Sequence, residues 1–150
     1  MKDKRRRRGL DFQRWIVKWL EERDWICENF IPISIKKVIR GKEMWVSKRS
    51  DPFGCIDIVG KKKYHRTLWI QATLHTGKKV KADKLMKVPW AEYADDVQIW
   101  IKRSTGSIDI YQLDEGEFIQ LGKILQRKFY KSEGKLKKEK SNEKRNDTKT

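Results

Sequence analysis

Long apolar runs are missing from this chain. No stretch of its 150 residues approaches the roughly 20 apolar residues that cross a bilayer. The basic start runs into an amphipathic segment, not the apolar core of a signal peptide, so a cytoplasmic protein without a membrane partner is expected. Cysteine is scarce. Cys27 and Cys55 are too few for a disulfide framework and lack Cys-x-x-Cys spacing, which predicts two reduced, buried thiols. Histidine is equally scarce: His65 and His75 each sit in a polar turn beside basic residues and read as surface residues. What the chain does have is tryptophan. Charged residues reach 39%, a level often seen in disordered chains, yet seven Trp residues argue for a packed core.

Acidic charge is also in deficit. Lys and Arg number 37 against 21 Asp and Glu, a net charge of +16. Residues 1–8 contribute +5 and residues 131–150 contribute +4, which leaves +7 on the body. The body is therefore basic in its own right, and a polyanion, nucleic acid first, is the expected partner. The segment 131–150 holds one large aliphatic residue, Leu136, and cannot bury enough surface to order itself. The sequence thus divides into a basic disordered arm (1–8), one folded domain (9–130) and a basic disordered tail (131–150).

Within the domain, Phe12, Ile16, Trp19 and Leu20 recur at helical spacing and predict a first helix over 10–23. Residues 25–35 read as a strand interrupted near Pro32, and 40–54 as a loop around a short extended piece. Residues 55–59 and 67–73 read as two strands of a hairpin joined by the polar turn 60–66. A helix is expected around Val80, Leu85, Met86 and Val88, limited by Pro89. Strands at 97–103 and 107–113 are joined by Ser104-Thr105-Gly106. A closing helix is expected over 117–130. The order predicts a mixed α/β (α+β) domain around one central sheet.

Three positions stand out chemically. Asp57 interrupts the apolar run Cys55-Ile56-Ile58-Val59, where an unpaired carboxylate is costly. A bound cation, a basic partner or an edge strand that turns Asp57 to solvent each removes that cost. Gln71 and Thr73 alternate with Ile70 and Ala72, so they share a strand face able to meet Asp57. Asp51, in Ser50-Asp51-Pro52-Phe53-Gly54, reads either as a turn cap or as a second acid beside Asp57. Hard cations such as Mg²⁺ take one or two carboxylates and keep several waters.

The segments Gly54-Cys55-Ile56-Asp57-Ile58-Val59 and Leu68-Trp69-Ile70-Gln71-Ala72-Thr73 together resemble the core of the PD-(D/E)xK nuclease superfamily, with an acid on one hairpin strand and acid-x-lysine on the next. The segment from Arg8 to Arg14 resembles the first helix of archaeal Holliday junction resolvases. The run Asp51-Pro52-Phe53-Gly54-Cys55-Ile56-Asp57 is similar to the Asp-x-Phe-Gly-x-x-Asp loop of small phage-encoded relatives, which also carry Gln-x-Thr. The resemblance implies a restriction-endonuclease-like central mixed sheet flanked by helices. It implies a metal-dependent DNA endonuclease, with Asp57, Gln71 and Thr73 catalytic and Asp57, Gln71 and Asp51 around Mg²⁺ or Mn²⁺. The Ala72 carbonyl would join that shell. Arg5, Arg6, Arg7, Arg8, Lys48, Arg49, Lys78 and Lys79 would bind DNA, and a homodimer is compatible with the arrangement. The chain departs from the pattern where Gln13 and Gln71 replace acids and Thr73 replaces the lysine, for which Lys78, Lys79 or Lys48 are the expected substitutes. The rival readings are a nuclease-fold DNA-binding protein with a decayed site, and a basic structural or recruiting protein.

Overall fold

The computed structural model describes residues 2–31, 33–48, 51–75 and 77–132. Its elements run α1 (Lys2–Glu21), β1 (Ile26–Asn29), β2 (Ile33–Ile39), β3 (Lys42–Lys48), a 3-10 turn (Pro52–Gly54), β4 (Ile58–Lys61) and β5 (Thr67–Leu74). They continue through α2 (Lys78–Met86), β6 (Asp95–Lys102), β7 (Ile108–Asp114), β8 (Glu117–Leu125) and β9 (Lys128–Lys131). The fold is mixed α+β.

Seven strands form one sheet in the order β1-β4-β5-β6-β7-β8-β9, while β2 and β3 form a separate ribbon. Among the described residues only β5 and β6 run parallel; every other pairing is antiparallel. A parallel pair needs a crossover, and α2 supplies it. Strand alternation then gives each helix its own face. Phe12, Ile16 and Leu20 of α1 pack on Leu68, Ile70, Ala72, Trp100 and Ile110. Ala82 and Leu85 of α2 pack on Val97, Ile99 and Ile101. Neighbours along β6 thus point to opposite helices. Buried Gln98 accepts from the Trp100 indole at 2.9 Å and donates to Gln112 at 2.8 Å, so its burial leaves the amide satisfied.

Several expectations need correction. Residues 2–8, expected as a disordered arm, are the first turns of α1. Lys and Arg are good helix formers, and a helix anchored at Phe12 and Ile16 propagates backwards cheaply. Residues 40–54 contain a full strand, β3, because Arg40 and Gly41 adopt φ of +52° and +74° and close a two-residue hairpin turn. The interrupted strand at 25–35 is two strands belonging to different sheets, β1 and β2; Pro32 lies outside the described residues. The closing helix over 117–130 does not form. Residues 117–125 and 128–131 are strands β8 and β9, turned by Gln126 and Arg127 at φ of +50° and +64°. Of the expected tail, Lys131 ends β9 and the Ser132 N–H donates to the Leu121 carbonyl; residues 133–150 lie outside the described residues. Cys55 is buried and Cys27 half-buried, and burial pushes the Cys27 thiol up to about 11. No helix among the described residues is long and apolar enough to cross a membrane.

Candidate functional site

Asp57 sits just before β4, held from both sides. Its N–H donates to the Ile70 carbonyl at 2.9 Å, and its carbonyl accepts from the Phe30 N–H at 2.8 Å. The antiparallel register pairs Ile58 with Ile70, which puts Asp57 beside Gln71 on the same face. The carboxylate Oδ2 accepts from Gln71 Nε2 at 2.8 Å and from the Ala72 N–H at 2.9 Å. Burial pushes this carboxyl up to about 6. The Ala72 hydrogen bond and the Lys81 charge oppose that push, and Asp51 adds to it. Asp57 is thus neither a solvent-facing edge residue nor an orphan.

The basic partner is Lys81, which the sequence reading did not name. Its Nζ donates to the Ala72 carbonyl at 3.1 Å. Burial lowers its ammonium, while Asp57 pulls it back up. Lys78 instead lies over the Tyr111 ring at 3.6 Å, and Lys79 is exposed. Neither of these lines the cavities around Asp57. The spacing does not single Lys81 out: it stands three residues after Lys78 and three before Lys84, so a helix capped at Gly77 carries all three along one flank.

Two adjoining cavities, about 390 and 400 Å³, meet at Asp57. Both are lined by Arg5, Gly9, Gln13, Asp57, Gln71 and Lys81. Thr73 and Ala72 line the first; Arg6, Asp51, Phe30 and Lys84 line the second. A third, about 850 Å³, is lined by Lys4, Arg5, Arg8, His75, Lys102 and Arg103 among others. Arg5 borders all three. Its place on the first turn of α1 makes the basic start of the chain one wall of the site.

The structure therefore brings together Asp57, Gln71, Thr73, Asp51, Gln13, Arg5 and Arg6. Arg8 borders the third cavity, and exposed Arg7 borders none of the three. Lys48 ends β3, with only its backbone described, and Arg49 lies outside the described residues. Asp51 precedes the 3-10 turn but makes no side-chain cap, so its carboxylate is available to the cavity.

The donors for a cation are oxygens. They are the Asp57 carboxylate, the Gln71 amide oxygen, the Asp51 carboxylate and Gln13 Oε1, which is buried with no hydrogen-bond partner among the described residues. An all-oxygen set with an orphaned amide oxygen fits a hard divalent ion. Two features weaken the fit. The Ala72 carbonyl is taken by Lys81 and by Gln71 Nε2. No cluster of three or more His, Cys, Asp or Glu exists among the described residues. Comparison with protein-family models, curated proteins and solved structures finds no match for this chain.

Proposed function

We propose that this protein is a metal-assisted DNA endonuclease of the restriction-endonuclease-like fold. The observation that carries it is one partly buried carboxylate, Asp57, and one partly buried ammonium, Lys81, sharing a cavity walled by Arg5 and Arg6. The segments that carry the resemblance fall on α1 and on the β4–β5 hairpin with the turn before it, which supports the reading. Lys81 supplies the positive charge that Thr73 cannot.

Arg5, Arg6 and Lys84 attract a DNA phosphate into the cavity. Gln71 and the Ala72 N–H fix the orientation of the Asp57 carboxylate. Lys81 faces the charge that develops on the phosphoryl oxygens, a position where a preorganised cation lowers the barrier. Asp57, with Gln71, Gln13 and Asp51, would hold Mg²⁺ or Mn²⁺. The chemistry such an ion supplies is polarisation of the phosphate and acidification of water. With at most two carboxylates, that site is weak, and activity is expected to need millimolar metal.

A second reading has its own observation. Gln71 and Lys81 already satisfy Asp57 and the Ala72 carbonyl without metal, as in a nuclease-fold DNA-binding protein whose site has decayed. Incubation with duplex, single-stranded and four-way-branched DNA in Mg²⁺ or Mn²⁺ separates the two. We expect cleavage by the wild type, none by Asp57→Ala, and a loss of roughly 10²–10³ in kcat for Lys81→Met. Gln71→Glu should tighten metal binding. If neither the wild type nor Gln71→Glu cuts any substrate, the endonuclease reading gives way to the binding protein.

A further inference from the structure

The β2–β3 ribbon takes no part in the seven-stranded sheet. Isolated two-stranded ribbons are marginal in water, and natural proteins usually cover one face. Here exposed apolar side chains stand on both faces. Val38 and Trp45 are 70% and 72% exposed on one face, and Met44 on the other is 51% exposed. Apolar side chains in such places mark a surface that meets a partner.

The charge identifies the partner. Residues 33–48 carry five cationic residues and a single acid, Glu43, which pairs with Lys36 at 2.8 Å. Among the described residues, Lys37, Arg40 and Lys42 have no acidic partner. Lys37 and Lys42 share one face, and Arg40 forms the tip. The tip is itself informative. Position one of this turn needs positive φ, which Asn, Asp or Gly adopts at little cost. An arginine is held there at +52°. A second copy of the chain is a poor occupant, because it would set like charges against each other. A duplex groove is a good one: the major groove, about 12 Å wide, admits a two-stranded ribbon. Seven residues per strand give an arm about 24 Å long.

We propose that the β2–β3 ribbon is a DNA-gripping arm that enters a duplex groove. Arg40, Lys37 and Lys42 lie on phosphates, and Met44, beside both lysines on the same face, makes apolar contact within the groove. The ribbon springs from Phe30 and returns at Asp51, both of which line the Asp57 cavity. The inference stands apart from the cleavage reading, since binding by the arm needs neither metal nor Asp57.

The test is fluorescence anisotropy of a labelled 30-bp duplex with the full-length protein across a salt series. Arg40→Gly suits the turn and removes the charge without strain, so the fold is kept. The combined variant Arg40→Gly, Lys37→Gln, Lys42→Gln should weaken binding about tenfold at ~0.1 M salt and flatten the log–log salt slope by about 2–3. Arg40→Gly alone should flatten it by about 1. The wild type in EDTA should keep its full slope, so failed cleavage with an intact arm is told apart from a failed arm. Unchanged affinity and slope in the folded Arg40→Gly and combined variants overturn the proposal. So does a concentration-dependent dimer in sedimentation that Val38→Ser with Trp45→Ser dissolves while DNA binding persists; that result assigns the ribbon to a second copy.

Discussion

Asp57 sets the pH response of the site. Its carboxyl is raised from 3.8 to about 6, so the folded state prefers it protonated. The stabilisation is whole below about pH 4 and is lost as pH rises through 6, a loss of order 2–3 kcal/mol in metal-free buffer. The difference in melting temperature between Asp57→Asn and wild type should therefore widen in favour of the variant across that window. Parallel melting profiles of the two proteins would place the titration elsewhere. Above pH 6 the ionised carboxylate is ready for a cation, and millimolar Mg²⁺ or Mn²⁺ should stabilise the wild type but not Asp57→Asn. Equal metal shifts in both would show that Asp57 is not the ligand. At this scale the sequence was informative: a lone acid in an apolar run, with Gln and Thr alternating on the next strand, named three residues that the fold brings to one cavity. Its cation was hidden, because Lys81 sits among many lysines and only the packing of α2 selects it.

At the scale of elements, β8 shows how a strand imitates a helix. Phe118, Leu121 and Ile124 are spaced by three, which reads as helical. The pairing explains it. A bulge between Ile110 and Tyr111 passes Leu121 over, so β8 changes phase in mid-strand. Phe118 packs with the α2 face, while Leu121 and Ile124 pack with the α1 face. Gly122 marks the same place. A Cβ there would meet the Phe129 ring and the Tyr130 carbonyl, each at 2.5 Å, because β9 crosses closely. Gly122→Ala is expected to cost about 1–3 kcal/mol and to raise hydrogen exchange over 118–131. An unchanged melting temperature would mean that β9 shifts freely. Gly9 is the opposite case: it lies inside α1 with nothing within 4 Å of an added Cβ. Gly9→Ala should stabilise by about 0.5–1 kcal/mol, read as a higher melting temperature.

The whole molecule is organised by charge. The excess of +16 is spread over the helix start, the ribbon, α2 and the chain end, with Arg5 at the junction of three cavities. Duplex binding should show little sequence preference, with a log–log salt slope near −5 if about six phosphates are covered. Because α1 begins at Lys2, removing residues 1–8 would delete two turns of a packed helix along with the charge. Arg5→Ala is the cleaner probe, expected to flatten the slope by about 1 at unchanged stability. Salt-independent binding would refute the electrostatic account.

Composition and local pattern determined much by themselves: a basic body, a first helix on Phe12, Ile16 and Leu20, the Asp57 hairpin and the strands of β6 and β7. These depend on near neighbours, whose spacing is written in the chain. Tertiary structure alone decided the rest. The bulge in β8, the separation of the β2–β3 ribbon and the choice of Lys81 over Lys78 each depend on what packs against a residue from far along the chain. Periodicity carries no record of that partner.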